Sequence, residues 1–262
     1  MRPTSQKSGF AIIAALAFVL LATNSLIAQT ASFYLVDPGS GANLAGIYTS
    51  PYDGSINGGA VLPVICDDFA DETYQSESWT TYVTSLSTVT SETSVDGTLK
   101  WGTNIGLNTA EEQAQAYEAA AILSIDILNS GSGSPTQQLY SYALWALFDP
   151  GATTWLGSYN GGQYASDVPT VENYVNAAIG DVNSGTINGG SLRSYLSNYN
   201  VTIYSFDSAI NPTCPGGGCP PPPQEFITVT TPEASTPVLL AIDLLGFVAL
   251  VGFLRKRIFR NI

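Results

Sequence analysis

Near the end of this chain of 262 residues, Thr236–Leu254 (TPVLLAIDLLGFVALVGFL) is apolar apart from Thr236 and Asp243, and Arg255, Lys256 and Arg257 follow at once. At about 1.5 Å per residue, such a run comes close to the roughly 30 Å hydrocarbon thickness of a bilayer. It therefore reads as a single transmembrane helix, 236–254. Cations directly behind a span hold that side in the cytoplasm, so everything before it lies outside. Asp243 disfavours insertion by about 2.5–3.5 kcal/mol, which makes the span marginal. At the other end, Arg2 and Lys7 precede the unbroken apolar run Phe10–Ala22, with small or polar residues behind it. That is the layout of a secretory signal peptide over 1–28, with cleavage expected after Ala28 and Ala31 as the alternative.

The two ends hold six of the eight Lys and Arg residues. Between Gln29 and Thr231 only Lys100 and Arg193 face nineteen acids, a net charge of −17. Phosphate contacts need clustered cations, so no nucleic-acid partner is expected. The chain has no His, which excludes a His general base, a His-bearing triad and imidazole zinc sites.

Between the ends the pattern changes period. Ser32–Val36, Leu44–Thr49, Ala60–Cys66 and Trp79–Thr84 are short runs rich in β-branched and aromatic residues, separated by turn clusters such as Asp37–Gly41 and Asp53–Gly59. They predict strands. Thr109-Ala110-Glu111-Glu112 is a capping box ahead of apolar residues at helical spacing. A second helix runs to Leu147 and stops at Asp149-Pro150-Gly151, Pro169 opens a third, and Ser191–Tyr199 forms a short fourth. Val201–Phe206 alternates like a closing strand. Segregated strands and helices predict an α+β fold, an N-terminal antiparallel β meander or barrel followed by a small helical subdomain. The exported domain is expected over 29–210.

The segment 211–231 is expected as a linker. Asn211–Gln224 reads NPTCPGGGCPPPPQ, and its proline run favours an extended, semi-rigid spacer, a stalk between domain and anchor. Cys214 and Cys219 are close enough in sequence to close a local disulfide in an oxidising compartment, leaving Cys66 either a buried apolar thiol or a group with chemistry of its own.

Pro232-Glu233-Ala234-Ser235, the apolar span and the basic stop Arg255-Lys256-Arg257 together resemble the PEP-CTERM sorting signal of exopolysaccharide-producing Gram-negative bacteria. Ala234 stands where that motif usually has a second Pro. The resemblance covers 232–262 and implies an exosortase-type transpeptidase as partner, besides signal peptidase and the membrane. It also implies export across the inner membrane, and a cell-surface or secreted destination after processing. The order Gly46–Tyr52, Ile65–Phe69, Trp79 and Tyr142–Asp149 resembles a domain type of such surface proteins. It is also distantly similar to the thioester domains of Gram-positive adhesins. That similarity would give Cys66 a Gln acyl partner four residues before Trp145, but Ser141 stands there, and Gln137 and Gln138 lie a turn earlier.

Asp67, Asp68, Asp71 and Glu72 are dense enough to ligate Ca²⁺ or to form a solvated acidic loop, and paired carboxylates could also serve a glycosidase. No nucleophile elbow, phosphate loop or metal-ligand spacing accompanies them. No catalytic residue and no cofactor are therefore expected. Trp79, Trp101 and Trp155 could stack on sugars, or Trp79 and Trp145 could be core. The resulting expectation is an exported, non-enzymatic envelope protein contributing to extracellular matrix or adhesion, with extracellular polysaccharide as a partner. A secreted polysaccharide hydrolase or a thioester-like adhesin is the alternative.

Overall fold

The computed structural model describes residues 29–39, 42–101, 107–206 and 223–231. The expected signal peptide, Cys214 and Cys219, the sorting motif Pro232–Ser235, the span 236–254 and the basic stop lie outside them. Among the described residues no helix is long and apolar enough to cross a membrane.

Six strands close into an antiparallel barrel in the order β1 (Gln29–Asp37), β4 (Tyr52–Ile56), β5 (Leu62–Cys66), β10 (Phe226–Thr230), β9 (Asn200–Phe206) and β6 (Ser78–Ser85). Closure gives each of these six strands a neighbour on both sides, so the barrel itself has no open edge. Along β1 the inward positions alternate, Ala31, Phe33 and Leu35. They meet Trp79, Tyr204 and Phe226 inside, where the Phe33 ring stacks on Trp79 and on Phe226 at 4.8 Å each. Two-residue strands form the hairpins β2–β3 (Asn43–Leu44, Ile47–Tyr48) and β7–β8 (Thr186–Ile187, Gly190–Ser191).

The helices are inserted between β6 and β9: α1 (Leu86–Val89), α2 (Ala110–Asn129), α3 (Pro135–Phe148), α4 (Gly151–Gly162), α5 (Val168–Ser184) and α6 (Leu192–Leu196). The Thr109–Glu112 capping box forms in both directions and starts α2, and Ser134 caps α3 ahead of Pro135. Their buried faces make a second core with the outward faces of β9 and β10, where Ile203, Ile227 and Val229 join Tyr117, Leu123 and Trp145. A barrel with a helical unit in an α+β arrangement agrees with the sequence pattern.

Three segments differ from the expectation. Leu44–Thr49 is a tight hairpin with Ala45 and Gly46 at positive φ, not one strand. Tyr52–Ile56, taken for turn residues, is β4: a Cβ at Gly54 would lie 2.8 Å from Val64 Cγ1, so glycine serves close packing inside the barrel rather than a bend. The largest correction concerns 211–231. Phe226–Thr230 is β10, buried at four of its five residues between β5 and β9. The folded domain thus runs to Thr230, and the Pro/Gly-rich stretch joins two neighbouring barrel strands instead of forming a stalk ahead of the tail.

The registers give the barrel a polarity. Gln29 pairs with Val83 and Thr230 with Asn200, so the start of β1 and the finish of β10 leave at the same end. Phe226 pairs with Cys66 at the opposite end, where β9 also finishes and where the loop after β5 begins.

Candidate functional site

At that opposite end, a cleft of about 730 Å³ opens between the barrel rim and the helices. Its walls come from the finish of β1, the β2–β3 hairpin, the Asp68–Gln75 loop and the start of α4, with Gln224 ahead of β10. The loop is tied down at both sides. Asp68 Oδ1 accepts from the backbone N–H groups of Ala70 (3.0 Å) and Asp71 (3.3 Å), and Gln224 Nε2 donates to the carbonyls of Asp68 (2.9 Å) and Asp71 (2.8 Å).

The acidic segment does not act as one group. Lys100 Nζ forms ion pairs with both Asp68 and Asp71, so the cation held by these carboxylates is the chain's own ammonium. Burial alone would lower the Lys100 pKa, but Asp68 and Asp71 outweigh it and raise it. Burial raises Asp68 against the opposing pull of Lys100. The two directions conflict, and the direct ammonium contact decides: both groups are charged at neutral pH. Glu72 is exposed and accepts from the Tyr74 hydroxyl at 2.6 Å.

Asp67 points into the core with Glu225, and both are fully buried. Glu225 accepts from Tyr117 Oη (2.6 Å), the Lys100 backbone N–H (3.0 Å) and Ser205 Oγ. Among the described residues no amide, hydroxyl or amine reaches the Asp67 oxygens, which interact with the Glu225 carboxyl. Two carboxyls in contact bond only by sharing a proton. Burial raises both, and of the two only Glu225 has donors around it to hold a charge. Asp67 therefore carries the proton. Asp67, Asp68, Asp71 and Glu72, singled out together for Ca²⁺, are thus divided among three environments, and no group of three or more His, Cys, Asp or Glu that could hold a metal ion occurs among the described residues.

Cys66 is wholly buried, and burial pushes its thiol well above the ordinary range, so it stays a thiol. Its N–H donates to Ser50 Oγ (3.0 Å), and its carbonyl accepts from Trp145 Nε1 (2.9 Å). Ser141 Oγ lies 3.3 Å from the Ser50 carbonyl and 3.2 Å from the Gln137 carbonyl, which share its one proton. Gln137 spends its carboxamide on the Ile127 carbonyl (2.9 Å) and the Gly133 N–H (2.8 Å), at the far end of α3. Gln138 Nε2 donates to the Gly133 carbonyl at 3.5 Å, so both glutamines turn their carboxamides to that end of the helix and not to Cys66.

Of the tryptophans singled out for stacking, Trp79 and Trp101 are buried, as is Trp145; Trp155 is 45% exposed on the cleft. Glu225, Lys100, Tyr48 and Tyr74 complete the picture. Sequence reading did not single out these four, because 125 residues separate Lys100 from its acceptor Glu225 and nothing local marks the pair.

No family model matches the chain, and no curated protein matches it. Among solved structures, the N-terminal domain of the Streptococcus pyogenes pilus tip adhesin Cpa superposes over 80% of this chain and 97% of that domain, with 12% identity and a TM-score of 0.39. A superposition that loose leaves fold and function to be argued from this chain's own residues.

Proposed function

We propose that the chain is an exported, non-enzymatic envelope protein, sorted by an exosortase-type system, that contributes to extracellular matrix or adhesion. The observation that carries this reading is the barrel's polarity: both ends of the folded domain leave from one side, and the cleft opens at the other. A domain held by either end would present its cleft away from the envelope. Only Thr231 separates β10 from Pro232, so the sorting signal follows the barrel with no spacer. The non-enzymatic part is supported by the commitments of the acids. Asp67 shares a proton with Glu225, Asp68 and Asp71 hold Lys100, and Ser141 occupies the position of a thioester glutamine.

Fractionation of cells making the full chain, or the chain without 232–262, tests the proposal. The full chain is expected in the envelope and open to external protease, and the shortened one free of the membrane fraction. A full chain retained in the cytoplasm, or a shortened chain still in the membrane fraction, overturns it.

A further inference from the structure

The cleft has a built aromatic platform. Trp155 is 45% exposed, yet its indole N–H donates to the Ala45 carbonyl at 2.9 Å, so the ring plane is set before any ligand arrives. The Tyr159 ring supports it from 6.0 Å and packs over Gly46, where any Cβ would meet that ring at 3.0 Å. Tyr48 and Tyr74 expose 51% and 54% of their surface on the same cleft, and the Tyr74 ring is steadied by its bond to Glu72. Half-exposed rings held in place lose little conformational freedom on stacking against a flat apolar face, which lowers the cost of binding.

Charge then selects among ligands that offer such a face. Asp68, Asp71 and Glu72 line the cleft, and the nearby ammonium of Lys100 is committed to the first two and lies 4.9 Å from the Trp101 ring centre. The other cation of the folded region, Arg193, borders a groove at the far end of the barrel. Among the described residues, a uronate, sulfate or phosphate in the cleft would meet carboxylates and no free cation. An ammonium would meet the Glu72 carboxylate beside the electron-rich Tyr74 face, an arrangement that attracts cations.

We propose that this cleft binds a glycan chain bearing amino groups, with Trp155 stacking on a sugar ring and Glu72 pairing with an ammonium. The proposal rests on the outward display argued above and names the ligand class for it. Trp155→Ala should remove most of the affinity, and Glu72→Gln should weaken binding about tenfold and reduce its dependence on salt. Trp155→Phe, which keeps a ring, should retain part of the binding.

The test is a fluorescence titration of the detergent-solubilised full chain with glucosamine oligomers, their N-acetylated counterparts, a neutral glucan oligomer, polygalacturonate and oligolysine. The expected result is saturable binding of the glucosamine oligomers, at least tenfold tighter than the acetylated and neutral sugars, with no binding of polygalacturonate. It should disappear in Trp155→Ala while the unfolding midpoint of that variant stays within a few degrees of the parent. Equal binding of acetylated or neutral sugars, binding of polygalacturonate, tighter binding of oligolysine, or no binding at all overturns the proposal. Any of these outcomes with the chain still at the cell surface removes the ligand assignment alone. Absence from the surface removes the display reading whatever the titration gives.

Discussion

The two ends of the barrel each carry an opening, and the larger one is the less equipped to bind. The groove at the end where the chain enters and leaves measures about 870 Å³, against about 730 Å³ for the cleft. Several of its lining hydroxyls already have partners: Ser85 Oγ lies 2.8 Å from Ser87 Oγ and from Thr88 Oγ1, Ser91 Oγ donates to the Thr88 carbonyl at 3.0 Å, and Ser197 Oγ donates to the Ser194 carbonyl at 2.8 Å. A hydroxyl that already has a partner gains little from exchanging it for a ligand. The cleft end is different. Its polar groups are spent on fixing the walls, and what remains facing solvent is three aromatic faces and an exposed carboxylate. Volume therefore says less than which groups are left uncommitted.

The same contrast governs stability. At the cleft end, Glu225 gathers donors from α2, β9 and the segment before Trp101. Glu225→Ala would strand them in the core, and an expected loss of about 3–5 kcal/mol follows from leaving several buried partners unpaired. Arg193→Ala at the other end should change stability by no more than about 0.5 kcal/mol, as surface substitutions usually do. Urea unfolding of the two variants checks this, and similar losses would erase the distinction between the ends.

A smaller effect separates two glycines with left-handed backbone. Gly46 at φ +81° lies under the Tyr159 ring, whereas Gly189 at φ +77°, in the β7–β8 hairpin, has open space around it. Gly189→Ala should cost about 1 kcal/mol from backbone strain alone, and Gly46→Ala about 2 kcal/mol because the ring must also shift. Thermal melts that rank them the other way would show that the platform behind Trp155 is not rigid.

The smallest effect is a pH dependence. Burial raises the Asp67 carboxyl well above its ordinary range, so the folded domain holds a proton that the unfolded chain releases. The linked stability is fully present below the unfolded pKa of about 4 and is lost as pH rises through the folded value. Asp67→Asn keeps a donor toward Glu225 without a titratable proton. It should flatten the part of the pH profile above the ordinary carboxylate range, as read from unfolding midpoints. An unchanged slope would place the proton elsewhere.

Where composition, period and capping were strong, the sequence was sufficient: runs of β-branched and aromatic residues marked β1 and β6, alternation marked β9, and Thr109, Glu112 and Pro169 marked two helices. It misled where one residue type serves two purposes. Glycine in Asp53–Gly59 looked like turn punctuation, but Gly54 is the small residue that Val64 and Phe33 require. Phe-Ile-Thr-Val-Thr has a strand composition of its own, yet it follows a stretch that cannot form a core, and that neighbourhood dominated the reading. α4 gave no periodic signal because its second half departs from helical backbone at Tyr159, Asn160 and Gly161. At the site, Trp155 was one of three tryptophans named for stacking, and nothing local in the sequence separated it from Trp79 and Trp101, which are buried. The four acids were legible as a cluster but not as a divided one, because division depends on Lys100 and Glu225 arriving from distant segments.

The account stands most directly on where β10 ends, because that decides which end of the barrel carries the tail. Asn200 and Thr230 are register partners and both exposed. With Cys214 and Cys219 replaced by serine, a chain carrying Asn200→Cys and Thr230→Cys should form that disulfide on mild oxidation, and one carrying Thr73→Cys with Thr230→Cys should not. Cross-linking at Thr73 and none at Asn200 would put the tail beside the cleft and contradict the polarity on which the rest depends.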